Sequence, residues 1–275
     1  MIYNVCMMRW LATMADEIVK NHKATFIRSQ LLANHGITAI FSLRHGGISP
    51  PPFQQQNFGA GLGDDEHHIK QNLDNFIKAA ALPGPPHQAC QVHGVEILQC
   101  NGQGRMHHRQ ADILITTQRD VALAVRTADC LPILLADPIA GIIAAVHAGW
   151  RGSAKSIARR AIRAMEQRGA DQRRLLAWLG PCIGPCCFAI GTDIAEALQQ
   201  SIAGAAMRLS YTPSAMFADL QEINRLQLRD AGISSAHIEI SRNCTACDAA
   251  RFFSFRRDHG VTGRHLAVVA IPAST

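Results

Sequence analysis

Four nearly continuous apolar runs follow one another in the middle of the chain, and they constrain the fold more than any other feature. Turn residues separate these runs, which cover residues 112–117, 121–126, 131–136 and 141–147. Short apolar runs rich in Ile, Leu and Val between turn signals are typical of strands that are buried on both faces. We therefore expect a central sheet that other elements cover on each side.

The remaining pattern predicts both strands and helices around this centre. Further strand patterns occur at residues 37–43, 88–92, 95–99, 175–180, 236–240 and 265–271. Apolar residues at helical spacing predict helices at residues 66–81, from near Ser153 onward, at 192–202 and at 215–231. No repeat or low-complexity linker divides the chain. We therefore expect an α/β fold with one domain over residues 31–275, preceded by a weakly patterned N-terminal extension, residues 1–30.

Composition and charge exclude several classes of function. The formal net charge of +6 suits anionic substrates such as phosphate, but aromatic residues make up only 5%, which argues against a nucleic-acid partner. Charged residues and prolines interrupt the most apolar region, 121–150, so no membrane span is predicted. Nine cysteines, an odd number without an evident signal peptide, indicate free thiols in a reducing cytoplasm. The oligomeric state is not indicated.

Three residues have side chains that suit a catalytic zinc ion. His93, Cys130 and His147 each lie at a predicted strand end or turn, where functional groups concentrate. Two imidazoles and one thiolate would leave a fourth zinc position open for water or substrate. Spacings of 37 and 17 residues are too long for a local zinc finger, so the ligands would come from separate strands. Taken singly, each residue also suits an ordinary hydrogen-bonded histidine or a core cysteine.

Five motifs, in a fixed order from about residue 37 to residue 271, resemble the signature of one family. The motifs are Gln91-Val92-His93-Gly94, Thr127-Ala128-Asp129-Cys130-Leu131-Pro132, His147-Ala148-Gly149-Trp150-Arg151-Gly152, Gly180-Pro181-Cys182-Ile183-Gly184-Pro185 and Phe252-Phe253-Ser254-Phe255-Arg256-Arg257-Asp258. The family is that of the bacterial multicopper polyphenol oxidases (laccases), whose members are also described as purine nucleoside phosphorylases and as peptidoglycan editing factors. The human macrophage laccase-domain protein is related to it.

The resemblance implies a fold, a ligand set and two activities. The family fold is a single α/β domain, a mixed β-sandwich with flanking helices. His93, Cys130 and His147 match the family's zinc ligands. The implied activities are phosphorolysis of adenosine, inosine, guanosine and methylthioadenosine to base and sugar 1-phosphate, and deamination of adenosine. Zinc held by such ligands activates water near neutral pH, which suits the release of ammonia from adenine.

Phosphate binding and proton transfer need further residues. Arg44 matches an arginine of the family's N-terminal motif and could hold phosphate through two parallel hydrogen bonds, with Arg151 and Arg256 as further candidates. The alternative is that these arginines pin loops. Asp129 could relay a proton or orient a ligand, or could only shape a turn, and Asp112 is a second carboxylate in an apolar setting.

Three rival functions stay open. A cysteine hydrolase or amidase that acts in peptidoglycan precursor editing would use Cys130 as its nucleophile and His147 or His93 as its base. A copper-dependent polyphenol oxidase would need many paired imidazoles. The adjacent pairs in the chain, His67-His68 and His107-His108, lie in polar segments that the pattern assigns to loops, so copper ranks below zinc. A non-catalytic partner protein is the third rival.

A second group of cysteines is left over from the zinc set. Together they could form a structural zinc site or a redox pair, although incidental thiols are the preferred interpretation. The group consists of the pair in C-x-x-C spacing and three cysteines further upstream, namely Cys244, Cys247, Cys182, Cys186 and Cys187.

Overall fold

The computed structural model describes residues 17–21, 24–212 and 214–272. The first strands are β1 (Glu17–Asn21), β2 (Ala24–Arg28), β3 (Thr38–Ser42), β4 (Gln88–Cys90), β5 (Ile97–Gln99), β6 (Met106–Gln110), β7 (Ile113–Thr116) and β8 (Val121–Thr127). The later strands are β9 (Leu131–Asp137), β10 (Ile142–Ala148), β11 (Leu176–Leu179), β12 (Ala189–Ile190), β13 (Leu209–Thr212), β14 (Ala215–Ala218), β15 (Ile238–Ile240) and β16 (His265–Ile271). The α-helices are α1 (Gln30–Ala33), α2 (Glu66–Ala79), α3 (Trp150–Ala154), α4 (Ile157–Glu166), α5 (Thr192–Gln199) and α6 (Leu220–Asp230). Short 3-10 helices occupy Ala205–Arg208 and Ser235–His237.

Two large sheets pack face to face. The five-stranded sheet has the order β1-β2-β3-β16-β8 and is antiparallel throughout. The six-stranded sheet has the order β15-β11-β9-β10-β7-β5 and is mixed, because β5 pairs parallel with β7 and β15 with β11. Both sheets contribute to one core, which includes Phe41, Leu123, Leu134, Ala145 and Trp178. The predicted α/β fold is therefore confirmed, with the two sheets as a sandwich.

Helices cover the outer faces of the sandwich. Along β10, Ala145 faces the five-stranded sheet, whereas Val146 packs into the cluster that contains residues of α4 and α6. On the opposite side, Phe76 of α2 packs edge-on against Phe26, with 5.8 Å between the ring centroids. Two sheets with helices on each outer face make four layers, which leave the central strands buried on both faces, as their apolar runs predicted. None of the described helices combines the length and the apolar sequence that crossing a membrane requires.

Several predicted elements differ from the observed ones. Residues 215–218 were predicted to begin a helix, but they form β14 in a small sheet with β12 and β13, and the helix starts at Leu220. Ser153 was predicted to cap a helix, but it is buried inside α3, and α4 begins after Ser156. In both places tertiary packing decides where a helix begins, because the local apolar pattern allows either boundary.

The segment predicted as an N-terminal extension contains two strands of the five-stranded sheet. β2 pairs with β3, and β1 forms the outer edge of the sheet beyond β2. The sequence of β1 has only two apolar residues among five and gave no strand pattern, which is common in an edge strand. The five-stranded sheet therefore includes strands that precede residue 31, where the domain was predicted to begin. Residues 1–16 of this segment lie outside the described residues.

A hairpin of β9 and β10 sets the position of the candidate site. In its register, His147 faces Pro132 and Ala148 faces Leu131, so the next step along both strands brings Gly149 opposite Cys130. The turn that precedes Cys130 connects β8 in one sheet to β9 in the other. Cys130 and His147 therefore meet at one end of the sandwich.

Candidate metal centre

His93, Cys130 and His147 converge on one point. The nitrogen and sulfur atoms that these residues could offer to a metal all lie within 4.8 Å of one another. The two imidazole rings stand nearly perpendicular, with centroids 4.8 Å apart and an angle of 72° between their planes. Three side chains from separate strands and loops are thus presented to a common position, as an open zinc site with three protein ligands requires.

Asp112 orients His147. It directly precedes β7, which pairs with β10, and the His147 backbone N–H donates to the Asp112 carbonyl oxygen at 2.8 Å. The Asp112 side chain also lies on His147, with 2.7 Å between carboxylate Oδ1 and ring Nδ1. This contact leaves ring Nε2 of His147 for Cys130 or for a metal. Histidines that bind metals commonly pair with a carboxylate in this way, because the pair holds the ring and its tautomer.

The same carboxylate also shapes the loop that carries His93. It accepts hydrogen bonds from three successive backbone N–H groups, those of Val92 at 3.1 Å, His93 at 3.1 Å and Gly94 at 2.7 Å. His93 has a φ of +57°, a left-handed backbone conformation that is unusual for a residue with a side chain. Such a conformation persists where surrounding contacts hold it, and it is often found at functional sites. Asp112 therefore positions both imidazoles of the group.

Charge inside the group favours a thiolate. Burial alone would raise the pKa of the Cys130 thiol, but the charge of His147 and hydrogen bonds from His147 and His93 lower this pKa to about 6. Burial would lower the pKa of His147, yet the Cys130 charge and the Asp112 contact raise it to about 9. At neutral pH and without a metal, a thiolate therefore faces an imidazolium. The thiolate is the form of cysteine that binds metals and attacks substrates.

Gly149 leaves the space that the group needs. A Cβ at this position would lie 2.9 Å from His93 Cδ2 and 3.2 Å from Cys130 Sγ. Its backbone is extended, with a φ of −69° and a ψ of 169°, so conformation alone would allow any residue there. The glycine of the His-Ala-Gly-Trp-Arg-Gly motif is thus required by space. The missing side chain and the soft donor set together fit a zinc ion.

The Asp129 carboxylate forms hydrogen bonds with residues that lie more than 100 positions further along the chain. Its carboxylate accepts hydrogen bonds from the Thr245 hydroxyl at 2.6 Å, the Ser254 hydroxyl at 2.9 Å and the Arg256 backbone N–H at 2.7 Å. Burial raises the pKa of this carboxyl group. Its backbone φ of +89° makes the tight turn that presents Cys130. These contacts join the Thr-Ala-Asp-Cys turn to the Phe-Phe-Ser-Phe-Arg-Arg-Asp motif.

A pocket of about 550 Å³ opens beside the three residues. Its apolar wall includes Leu62, Trp150, Ile183, Phe188 and Phe255. Four arginines also line it, namely Arg126, Arg151, Arg256 and Arg264. A volume of this size is typical of sites for small molecules.

The structure places Arg44, the predicted phosphate-binding residue, outside the set of residues that line this pocket. This side chain donates instead to the backbone carbonyls of Gln54 at 3.1 Å and Ala249 at 2.8 Å, with its guanidinium over the ring of Phe253. It therefore pins loops, which was the alternative considered for it. Arg151 does reach the pocket, where it stacks on Trp150 with 4.5 Å to the ring centroid.

Arg126 and Arg264 are pocket residues that the sequence did not single out. Burial lowers the pKa of both guanidinium groups, and the charge of Arg264 lowers that of Arg126 further. In the part of the chain that the structure describes, no carboxylate forms an ion pair with either. Arg126 lies in the most apolar region of the sequence. A charged residue in such a region is rarely buried without a partner, so its position could have indicated a functional role.

The paired histidines considered for copper lie away from the three converging residues. His67-His68 is in the first turn of α2 and His107-His108 is in β6, so neither pair is in a loop as predicted. His107 is close to His87 and Cys100, but its ring shares a 2.8 Å hydrogen bond with His87. Burial raises the pKa of the Cys100 thiol to about 12, which disfavours the thiolate that a metal needs.

Comparison with known proteins identifies relatives over most of the chain. A family model described as "Multi-copper polyphenol oxidoreductase laccase" matches residues 38–272. Purine nucleoside phosphorylase YlmD of Geobacillus stearothermophilus is 35% identical over 85% of this chain and 90% of its own length. Purine nucleoside phosphorylase YfiH of Escherichia coli K12 is 34% identical over 83% of this chain and 91% of its own.

Solved structures agree with the sequence matches. The crystal structure of YlmD from Geobacillus stearothermophilus superposes with a TM-score of 0.83 and 31% identity, covering 94% of this chain and 99% of that one. The crystal structure of the Bacillus licheniformis hypothetical protein YfiH gives a TM-score of 0.82 and 26% identity, with coverage of 92% and 98%. The matches confirm the resemblance that the five motifs indicated.

Proposed function

The chain belongs to the multi-copper polyphenol oxidoreductase laccase family, whose relatives carry the name purine nucleoside phosphorylase, and we propose that it is a zinc-dependent purine nucleoside phosphorylase. Its further proposed activity is the deamination of adenosine to inosine. The proposed substrates are adenosine, inosine, guanosine and methylthioadenosine, with phosphate. A reducing cytoplasm stays the predicted location, and the absence of a nucleic-acid partner stays a prediction.

The observation that carries this proposal is the convergence of His93, Cys130 and His147 around the space that Gly149 leaves open. These three residues would hold the zinc ion, with Asp112 behind His147. Bound in such an open site, zinc would supply a Lewis acid that activates water at neutral pH. One thiolate and two imidazoles also suit copper, which therefore stays an alternative to zinc. It ranks below zinc because the chain lacks the many paired imidazoles that a copper oxidase needs.

Arg126 and Arg264 support a phosphate subsite. Two partly buried guanidinium groups without an ion-paired carboxylate in the described chain attract an anion, and phosphate can accept several hydrogen bonds from them at once. Arg126 donates one hydrogen bond to the carbonyl of Ala89 at 3.2 Å, and Arg264 donates to the carbonyls of Thr262 and Gly263. Each arginine has five N–H donors, so both retain donors for a ligand. Arg151 stays a candidate at the pocket mouth.

The rest of the pocket suits a purine nucleoside. The apolar wall beside the arginines can hold the flat base while phosphate lies against the guanidinium groups. In phosphorolysis, a phosphate oxygen forms a bond to C1′ of the ribose as the bond from C1′ to the purine nitrogen breaks. The electron pair leaves with the base, which takes up a proton. Holding phosphate and nucleoside in one pocket supplies the positioning that this displacement needs.

Asp129 is proposed to hold neighbouring parts of the pocket wall in place. Its carboxylate holds Thr245, Ser254 and the backbone of Arg256, so it secures the pocket wall around Cys130. The catalytic role that the sequence suggested for Asp129 stays a prediction. His147 is proposed as the acid or base of the metal-free protein, because Asp112 on ring Nδ1 and zinc on ring Nε2 would together occupy both of its nitrogens.

Metal content, product analysis and phosphate kinetics test the proposal. Zinc-loaded protein should convert inosine and phosphate to hypoxanthine and ribose 1-phosphate, and should release ammonia from adenosine. Arg126→Gln and Arg264→Gln should each raise the KM for phosphate about tenfold or more, the effect of losing a charge-assisted hydrogen bond of about 1.5–3 kcal/mol. Arg44→Gln is the matched comparison and should leave that KM near the wild-type value. An unchanged KM in the first two variants and a raised one in the third would return the phosphate role to Arg44.

A cysteine hydrolase is the second candidate function, and one observation favours it. Cys130, His147 and Asp112 form a thiolate, an imidazolium and a carboxylate in series, which is the arrangement that activates a nucleophilic cysteine. An amide in a peptidoglycan precursor is the substrate class proposed for that activity. The carbonyl carbon would bond to Cys130 Sγ and the amine would leave with a proton from His147.

His93 separates the two candidates. As a metal ligand, its loss in His93→Ala should remove both zinc and phosphorolysis. In the hydrolase, His147 is the base in contact with Asp112, so the same variant should retain amidase activity. Amidase activity that survives chelation and is abolished by alkylation of Cys130 would establish the second candidate instead of the first.

A further inference from the structure

Four cysteines that play no part in the pocket lie together on another face of the molecule. Cys186 and Cys187 follow β11, and Cys244 and Cys247 follow β15. Their four sulfur atoms all lie within 4.8 Å of one another, and Cys247 Sγ is 3.3 Å from the sulfurs of both Cys186 and Cys187. Residues that are about 60 positions apart in the chain thus form one cluster.

The separations match a single tetrahedral metal ion. Four sulfurs around zinc, with Zn–S bonds of about 2.3 Å, lie about 3.8 Å from one another. Two of the sulfur pairs are 3.3 Å apart and none exceeds 4.8 Å, so the cluster has the size that one such ion needs. A cage of several iron atoms needs its sulfurs further apart, so the cluster has room for one ion. Four thiolates and no open position are typical of structural zinc sites.

The backbone around the cluster also fits a thiolate site. The Gly184 N–H donates to Cys244 Sγ at 3.2 Å, a contact that is common around metal-bound thiolates. A Cβ at Gly184 would lie 3.3 Å from Cys186 Sγ and 3.2 Å from Cys244 Cβ, so a side chain there would press on the sulfurs. Glycine at this position therefore keeps the cluster compact.

A second pocket gives the cluster access to solvent. Cys186, Cys244 and Cys247 line this pocket together with Arg242 and Arg251. Both guanidinium groups also pair with carboxylates, Arg242 with Glu222 at 2.8 Å and Arg251 with Asp248 at 2.5 Å. The opening supplies an entry path for the ion.

We propose that Cys186, Cys187, Cys244 and Cys247 bind one structural zinc ion, separate from the ion proposed at Cys130. The ion joins the two segments that follow β11 and β15. These segments already run side by side, with Thr245 N–H donating to the Cys182 carbonyl at 3.0 Å. The proposal is independent of the activity at the pocket.

The segments joined by this ion form the support of the pocket wall. Ile183 lines the pocket, and its N–H donates to the Asp129 carbonyl at 2.9 Å. From the other segment, the Thr245 hydroxyl donates to the Asp129 carboxylate at 2.6 Å. The structural zinc therefore stabilises the turn that presents Cys130. Its removal should lower the melting temperature and loosen the pocket.

Metal analysis of the full-length chain, purified under reducing conditions, tests the proposal. The wild-type protein should hold about two zinc ions per chain, one in each type of site. Cys247→Ser and Cys186→Ser should each reduce this by about one ion, and Cys130→Ser should remove the other. Cys90→Ser is the matched control, because Cys90 is exposed and belongs to none of the metal-binding groups among the described residues. Zinc lost in Cys130→Ser but retained in full by Cys247→Ser would overturn the proposal without affecting the proposed function.

Two further measurements keep the test valid if Cys247→Ser or Cys186→Ser fails to fold. X-ray absorption at the zinc edge of Cys130→Ser protein should show four sulfur neighbours at about 2.3 Å. Thiol titration of the native protein should find these four cysteines protected, and a chelator should expose them as zinc is released. Free reactivity of all four thiols, a disulfide between Cys247 and Cys186 or Cys187 in the reduced preparation, or iron in place of zinc would each overturn the assignment.

Discussion

The Asp112 carboxylate lies 2.7 Å from ring Nδ1 of His147 and also accepts the backbone N–H groups of the His93 loop. One buried carboxylate thus positions two of the three proposed metal ligands. Hydrogen bonds from His147 and from the Gly94 N–H keep the pKa of Asp112 low even though burial would raise it. The carboxylate is therefore charged at neutral pH and can balance the charge of a bound cation.

Asp112→Asn should weaken zinc binding more than it weakens the fold. The amide keeps one acceptor oxygen but places an NH₂ group against N–H donors, so the His93 loop and the His147 ring lose their shared anchor. Loss of a carboxylate behind a histidine ligand costs about 10–100-fold in metal affinity. Competition with a chromogenic chelator measures this. Asp137→Asn is the matched control, since Asp137 is a buried carboxylate that pairs with Arg174 at the opposite end of the β9–β10 hairpin. Equal zinc affinity in the two variants would contradict the role of Asp112.

Gly149→Ala should weaken zinc binding by His93, Cys130 and His147 with little loss of stability. The new Cβ would lie 2.9 Å from His93 Cδ2 and 3.2 Å from Cys130 Sγ, so these groups must separate. The extended backbone at Gly149 accepts alanine without strain. We expect zinc affinity and activity to fall by about tenfold or more. Gly84→Ala is the control, because a Cβ at Gly84 meets nothing within 4 Å. Full zinc content in Gly149→Ala protein would show that the space it leaves is not the metal position.

Alkylation of metal-free protein should reveal the reactive thiolate. Acid protonates the Cys130 thiolate, so its reaction with iodoacetamide should be slow below pH 6 and should rise through about pH 6, three units below the ordinary value of 9.0. Peptide mapping by mass spectrometry follows each cysteine separately. Zinc should protect Cys130, and Cys100 should stay unlabelled through neutral pH because burial raises its pKa to about 12. A labelling midpoint near 9 for Cys130 would disprove the charged pair with His147.

Asp129→Asn should reduce the stability of the protein more than it reduces activity. The carboxylate accepts three hydrogen bonds, from Thr245, Ser254 and Arg256, and an amide in its place would set an NH₂ group against one of these donors. We expect a loss of about 1–3 kcal/mol in the free energy of unfolding. Chemical denaturation measures it. If stability is kept while kcat falls across all pH values, Asp129 instead takes part in proton transfer, as the sequence suggested.

The positions of the three proposed ligands were predictable in part. Strand ends and a glycine turn indicated where His93, Cys130 and His147 lie along the chain. Their meeting depends on the register of the β9–β10 hairpin and on the crossing between sheets that precedes Cys130. A shift of one residue in that register would turn each side chain to the opposite face. The apolar pattern alone does not set that register.

The sequence by itself determined the layered α/β fold, because apolar runs buried on both faces require a cover on each side of a sheet. It also determined the ligand types of the candidate centre. Only the tertiary structure decided that Arg126 and Arg264 face the pocket while Arg44 pins loops, and that four cysteines from two segments meet in one cluster. The physical reason is that contacts between distant residues depend on strand register and on how the sheets stack. Local patterns in the chain carry neither kind of information.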